Sequence, residues 1–148
     1  MIPETIKNFI ADQTCSTVCC VGKENDPYCF SCFYAFDPEE GSIYFKSSPD
    51  TLHAKMMREN HFVAGTIQMD KLNKLMIKGV QFRGIAMSPE HPLARNGNAK
   101  YYRQFPLALA MPGEVWTLRL SHIKMTDNTL SFGKKIEWTR AEEKVHAA

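Results

Sequence analysis

The sequence lacks the features that mark several large classes of protein. Its 148 residues carry a formal net charge of only +2, too small by itself to indicate a partner rich in phosphates or an anionic membrane. No run of apolar residues approaches the length needed to cross a bilayer. The opening segment MIPETIKNFIADQ has no basic stretch before an apolar core, as a secretory signal would. We therefore expect a cytoplasmic protein that binds neither membranes nor nucleic acid.

The common catalytic and nucleotide-binding motifs are also missing. There is no Gly-x-Ser-x-Gly, no Gly-x-Gly-x-x-Gly and no P-loop pattern, so neither a serine hydrolase nor a dinucleotide-binding domain is indicated. The five histidines are dispersed, and none stands at metal-ligand spacing from another histidine or a carboxylate on a predicted helix. The sequence predicts no metal site, and no side chain is singled out as catalytic.

Cysteine is scarce outside one stretch, CSTVCCVGKENDPYCFSCF, which holds all five. An odd number cannot all pair within one chain, and cytoplasmic thiols stay reduced. Cys29 and Cys32 have the spacing of half a zinc site, but the aromatic run around them favours a strand, where they point to opposite faces. We interpret the stretch as a hairpin turning at KENDP, in which cysteine packs as a small hydrophobe. A zinc or redox centre on Cys19, Cys20, Cys29 and Cys32 is the alternative.

The remaining pattern predicts a mainly β (α+β) fold. Three helices are predicted. The first covers residues 2–12, the second has Ser48 as its N-cap and Pro49 at its first position, and the third covers 88–105 with an interruption at 96–98. The predicted strands form the hairpin 14–36 and the segments 43–47, 61–69, 75–87, 115–125 and 130–138. Gly79 and Gly84 suggest bends of the kind small barrels need. Because most strands follow one another directly, we expect an antiparallel barrel with appended helices.

The stretch FKSSPDTLHAK, residues 45–55, is the best candidate for a binding site. A strand runs there into a helix, and a helix N-terminus attracts an anion through unpaired N–H groups and its dipole. The side chains that could contribute hydroxyls or charge are Ser47, Ser48, Thr51, Lys46, His53 and Lys55. The alternative is that Ser48 only caps the helix, and the carboxylate of Asp50 competes for the same N–H groups.

The segment GNAKYYRQF offers a second, weaker pattern. Lys100 and Arg103 flank Tyr101 and Tyr102, and such interleaving can bind single-stranded nucleic acid. A helix of this kind more often buries its tyrosines and leaves its charges in water. With a near-neutral chain, we expect no nucleic-acid partner.

In order along the chain, the segments SSPDTxHAK, VAGTI, GVQFRG and TDNTLxFGKK resemble those of a known superfamily. The chain is similar to the flavin-binding split-barrel proteins that include pyridoxamine 5′-phosphate oxidase, and more closely to their small bacterial YhbP-type branch. The resemblance covers roughly residues 1–140 as one domain and leaves 141–148 as a charged tail. It implies a six-stranded split barrel that forms a homodimer, with FMN at the subunit interface.

The resemblance also implies the roles of particular residues. The segment 45–55 would hold the FMN phosphate, although the Arg-Lys pair of the oxidase corresponds here to Leu52 and His53. The partner subunit would contribute Gln81 and, from the C-terminal segment, Thr126, Asp127, Asn128 and Lys134. The implied activity is that of a flavin-dependent oxidoreductase with a small-molecule redox partner, and the alternative is a non-catalytic flavin- or haem-binding barrel. Phe33, Tyr34 or Phe132 could fill the pocket. The oxidase's substrate-binding residues have no clear match.

Overall fold

Strands dominate the computed structural model, which describes residues 1–129 and 134–141. The tail 141–148, apart from its first residue, and Phe132 therefore lie outside the described residues. The helices are α1 (Glu4–Asp12), α2 (Leu52–Glu59) and α3 (Gly97–Gln104), with short 3-10 helices at Pro92–Ala94 and Pro106–Ala110. The strands are β1 (Cys15–Val21), β2 (Pro27–Phe33), β3 (Ala35–Asp37), β4 (Ser42–Ser47), β5 (Phe62–Gln68), β6 (Lys78–Met87), β7 (Glu114–Asp127) and β8 (Lys135–Thr139).

The strands form one antiparallel sheet that curls into a half-barrel. The order is β2-β1-β5-β6-β7-β4-β3, and β8 also pairs with β7. β7 has 14 residues and pairs with β6 on one side, and with first β4 and then β8 on the other. The predicted antiparallel barrel with peripheral helices is confirmed. Within the described residues the sheet has eight strands instead of six. The two additional strands are β3, which is separate from β2, and β8, which pairs with the second half of β7.

β7 supplies the centre of the apolar core. Trp116, Leu118 and Leu120 are fully buried from its first half, and Ile123 and Met125 from its second. In each half these core side chains occupy every second position, but two residues instead of one separate Leu120 from Ile123, where the pairing with β6 shifts register. The bulge keeps both halves of the strand facing inward.

The register shift lies beside Gly84, one of the two glycines at which bends were predicted. A Cβ on Gly84 would stand 2.5 Å from the Arg119 carbonyl oxygen, so a larger residue does not fit between the strands. The bend at Gly84 is therefore found. Gly79 pairs with Gln68 and Thr126 without a register shift, so no bend is found there.

The cysteine stretch forms the predicted hairpin of β1 and β2. Cys20 is buried and Cys32 half-buried on the inner face, and burial raises the pKa of Cys32 to about 12. Cys29 is exposed, so Cys29 and Cys32 do point to opposite faces. The expectation that the cysteines pack as hydrophobes is wrong for Cys15 and Cys29, which are exposed. All five thiols are free, and no group of three metal-ligating side chains occurs among the described residues.

Two predicted boundaries are wrong for local reasons. The helix after β4 begins at Leu52 with Thr51 as its N-cap, because the Thr51 N–H donates to the Ser48 carbonyl (3.3 Å) and closes a turn first. The strand predicted through residue 36 is interrupted at Tyr34. That side chain turns inward, and its hydroxyl donates to the Ile10 carbonyl at 2.6 Å.

Lys100 and Tyr101 of α3 serve the fold, whereas Arg103 is exposed. Lys100 forms an ion pair with the buried Asp37, and Tyr101 is buried against Tyr44 and Val115. The helix therefore packs on the outer side of β3 and β4, at the end of the sheet that leads into α2. Of the helices described, none has the length and apolar character to cross a membrane.

Candidate functional site

A cluster of hydroxyls surrounds the N-terminus of α2, where β4 ends. The Ser47 Oγ lies 2.6 Å from the His53 Nε2 and 3.3 Å from the Thr51 Oγ1. Thr51 accepts a hydrogen bond from the Ala54 N–H at 3.3 Å and so caps the helix. Helix geometry leaves the N–H groups of the two preceding positions without partners inside the helix. The Thr51 hydroxyl donates to the Ser48 carbonyl at 3.0 Å, so the groups that can donate to an anion are the serine hydroxyls and these N–H groups.

His53 is held in place from two sides. Its ring stacks on Phe30 with the centroids 3.8 Å apart and an interplanar angle of 11°, while its Nε2 bonds Ser47. Burial lowers the pKa of His53 below its ordinary value of 6.5. The ring is therefore mostly neutral near pH 7 and orients Ser47 instead of supplying a positive charge.

Lys46 is engaged with the backbone of the segment between α3 and β7. Its Nζ donates to the carbonyls of Ala108 (2.7 Å) and Met111 (2.6 Å) and lies 4.8 Å from the centre of the Tyr102 ring. The side chain thus fixes the 3-10 helix Pro106–Ala110 over the end of β4. Lys55, in contrast, is exposed on α2.

An apolar cavity of about 550 Å³ opens beside this cluster. Its polar lining consists of Lys46, Ser47, Ser48 and Gln104. The remaining wall is apolar and aromatic, and apart from Phe33 and Tyr101 it comes from residues that sequence analysis did not single out as site candidates: Phe105, Pro106, Leu107, Ala108, Met111 and Pro112. Leu107 and Met111 are more than 60% exposed, and that exposure of apolar side chains is the sign of the cavity. Phe33 lines the cavity without filling it, and Tyr34 lies in the core.

The other predicted site residues lie elsewhere in the same chain. Ser47 pairs with Glu114 at the start of β7, whereas Thr126 lies near the end of that strand, about 40 Å away along it. Gln81 is exposed on the outer face of β6. One chain therefore does not bring the two groups to the same small ligand.

The turn after β7 is organised around a buried carboxylate. Burial alone would raise the pKa of Asp127, but hydrogen bonds from the Thr129 N–H and hydroxyl, with the charges of Lys78 and Lys134, lower it overall. The Asn128 N–H donates to the Ile77 carbonyl at 3.0 Å. These contacts hold the turn against the start of β6.

Gln81 lines a second cleft, of about 380 Å³, on the outer face of the sheet. The cleft also contains Thr17, Cys19, Cys29, Thr66, Arg83, His122 and Lys124. The His122 Nε2 lies 3.7 Å from a carboxylate oxygen of Glu137. Sequence analysis missed this cleft because its members come from five strands, and only the register brings them together.

The residues at α2 fit the phosphate end of a flavin only in part. The hydroxyls, the helix dipole and the free N–H groups suit an anion. The Arg-Lys pair of the resembling oxidase is absent, since Leu52 is apolar and His53 is mostly neutral. The adjacent cavity has the size and the apolar, aromatic lining of a small-molecule site. An anion here would be held by hydrogen bonds more than by full charges.

Comparison with known proteins gives close relatives of the same length. A UPF0306 protein of Photorhabdus laumondii is 39% identical over 137 residues, which cover 93% of this chain and 95% of the relative. A UPF0306 protein of Enterobacter sp. strain 638 is 40% identical over 137 residues, covering 93% and 96%. No protein-family model matches the chain.

Solved structures share the fold at low sequence identity. A haem-binding protein from Mycobacterium smegmatis has a TM-score of 0.75 and 18% identity over 92% of this chain, which spans 57% of that protein. A FAD-binding protein from Mesorhizobium loti has a TM-score of 0.68 and 15% identity, covering 84% and 94%. The haem storage protein HutZ from Vibrio cholerae has a TM-score of 0.62 and 15% identity, covering 91% and 92%. These likenesses confirm the predicted split-barrel fold.

Proposed function

The chain belongs to the UPF0306 family, and from its split-barrel fold and site geometry we propose that it binds FMN and acts as a flavin-dependent oxidoreductase in the cytoplasm. The observation that supports the proposal is the hydroxyl cluster at the N-terminus of α2 beside an apolar, aromatic cavity. A flavin mononucleotide has the matching pair of ends, a phosphate and a flat apolar ring. Relatives by fold that bind FAD or haem favour a planar ligand in the same class of barrel.

In this proposal the residues of the chain position the ligand. Ser47 and Ser48 donate to the phosphate together with the N–H groups at the start of α2, and His53 orients Ser47. Lys46 holds the apolar cavity wall in place through Ala108 and Met111, beside the ring. Bound flavin would supply hydride or electron transfer with a small organic donor.

We propose a homodimer as the functional unit. Gln81 and the C-terminal residues Thr126, Asp127, Asn128 and Lys134 lie far from Ser47 in one chain, so they reach the same flavin only when a second copy supplies them. Light scattering coupled to gel filtration should give twice the mass of the chain. A monomer that still binds FMN with full affinity would contradict this arrangement.

The first test is a visible absorption spectrum of the purified protein, before and after incubation with excess FMN and removal of the unbound fraction. We expect a retained flavin spectrum near one per subunit. The double variant Ser47→Ala, Ser48→Ala should weaken FMN by about 1–3 kcal/mol, the cost of lost hydrogen bonds to a charged group. Ser31→Ala, on the exposed side of β2, is the matched control and should bind as the parent does. A protein that ignores FMN at micromolar concentrations would refute the proposal.

Haem is the second candidate, in a non-catalytic binding barrel. His122 is half-buried in the outer cleft, and Arg83 and Lys124 line the same cleft. Histidine is a residue type that binds haem iron, and the two cations would pair with the haem propionates. A Soret band in the purified protein that is lost in His122→Ala, with no retained FMN, would favour haem over the flavin.

A further inference from the structure

Two of the free cysteines face each other across the first hairpin. Cys19 on β1 stands directly opposite Cys29 on β2, and both side chains lie on the outer face of the sheet. Pro27, which has no N–H, stands opposite Val21, so that pair is not hydrogen-bonded. Bonded and non-bonded pairs alternate along an antiparallel ladder, so Cys19 and Cys29 also form a non-hydrogen-bonded pair.

This kind of pair has the spacing of a disulfide. Opposite Cα atoms at a non-hydrogen-bonded site are about 4.5 Å apart, inside the range of about 4.4–6.8 Å that disulfides span. The two thiols are close enough to interact electrostatically, while the Cys19 Sγ donates to the Cys20 carbonyl at 3.8 Å. Oxidation would therefore require side-chain rotation but no change of strand register.

The two thiols differ in exposure. Cys29 is exposed, whereas Cys19 is partly covered, and burial followed by the contact with Cys29 raises the pKa of Cys19. The thiolate is the reactive form. Cys29 is thus the thiol that an external reagent reaches first, and Cys19 is placed to attack second.

The cleft around the pair is basic. In the register of the sheet, Cys29, Cys19, Ala64, Arg83 and His122 form one row across five neighbouring strands. Arg83 is two strands from Cys19, about 10 Å. Lys124 belongs to the adjacent row, and among the described residues neither Arg83 nor Lys124 forms an ion pair within 4 Å. Glu137 is an acidic group at the rim: it lies 3.7 Å from His122 and stands directly opposite Lys124 in the pairing of β7 with β8, so Arg83 is the less compensated of the two cations.

We propose that Cys19 and Cys29 form a reversible dithiol–disulfide site that exchanges with small anionic disulfides bound by Arg83 and Lys124. The Cys29 thiolate attacks one sulfur of the small disulfide and releases the first small thiolate, which leaves a mixed disulfide on Cys29. The Cys19 thiolate then attacks the Cys29 sulfur and releases the second. The two protons of the protein thiols pass to the two leaving thiolates. Two protein thiols and one small disulfide become one protein disulfide and two small thiols.

The test uses the reduced full-length protein with oxidised glutathione as the anionic probe and cystamine as the cationic one. Intact mass should fall by two hydrogen atoms. Trypsin cuts after Lys23, between the two cysteines, so digestion should yield the two hairpin peptides as one linked species. Cys19→Ser should stop at the mixed disulfide on Cys29, and Cys29→Ser should lose the product. Cys15→Ser, also exposed on β1, should react as the parent does.

The charge preference is tested separately. The double variant Arg83→Gln, Lys124→Gln should slow oxidation by oxidised glutathione about tenfold, as expected when electrostatic attraction is removed, and should not slow cystamine. Equal effects on both probes would overturn the assignment of an anionic ligand. A bond mapped to other cysteines, or no bond, would overturn the site itself. Because Gln81 lines the same cleft and is proposed to reach the flavin of a second copy, the reaction is run on flavin-free protein, so that its failure and failure of the FMN test are distinguishable.

Discussion

Replacing Lys46 with methionine should unfold the cavity wall more than it alters charge at the phosphate site. The variant keeps the apolar stem but removes the Nζ that donates to the carbonyls of Ala108 and Met111. A hydrogen bond from a charged group contributes about 1.5–3 kcal/mol. The bond to Met111 lies at an exposed position, so we count it at less than half of that. The expected loss in the free energy of unfolding is about 2–3 kcal/mol, including a small contribution from Tyr102.

Urea unfolding followed by tryptophan fluorescence measures this loss, because Trp116 is fully buried and reports the core. For a chain of this size the same change should lower Tm by about 5–10 °C. Lys55→Met is the matched control, since Lys55 is an exposed lysine of α2, and it should change stability by less than about 0.5 kcal/mol. If Lys46→Met unfolds like the parent yet binds FMN more weakly, Lys46 is a phosphate ligand and the structural reasoning is wrong.

Two further variants test the site and the sheet. Burial lowers the pKa of His53 in the folded chain. As the pH falls through 6.5, His53 of the unfolded chain is protonated first, whereas the folded chain binds that proton only at lower pH. The free energy of unfolding therefore decreases as the pH falls. His53→Gln should flatten that decline in urea titrations between pH 7.5 and 5, and parallel curves for the two proteins would contradict it. Gly84→Ala should cost about 2–4 kcal/mol because its Cβ would collide with the Arg119 carbonyl, whereas Gly79→Ala, with its nearest contact at 3.8 Å, should cost under about 1 kcal/mol by thermal unfolding.

The sequence predicted the strands well because alternation is a local property. The hairpin around KENDP, the opposite faces of Cys29 and Cys32, and the bend at Gly84 all follow from neighbouring residues. The helix start was misplaced by three residues because Ser48 and Thr51 are both good caps, and only the turn between them decides which one serves.

The chemistry of the site was less predictable, because it depends on contacts between distant segments. Lys46 looks available for an anion in the sequence, but Ala108 and Met111, more than 60 positions away, occupy its amino group. In the sequence His53 is a candidate for a positive charge, but in the structure its ring stacks on Phe30 and burial lowers its pKa. The facing of Cys19 and Cys29 depends on a register that the turn fixes but that composition does not reveal.

The central position of β7 has a consequence for synthesis of the chain. β4 and β6 each depend on β7 for a neighbour, and β7 begins only at Glu114. While the ribosome is still adding the preceding residues, the nascent chain carries two unpaired strand edges and an incomplete core. We expect the native barrel to form only after β7 has been synthesised, and chains that stop before β7 to be substrates for chaperones or proteases.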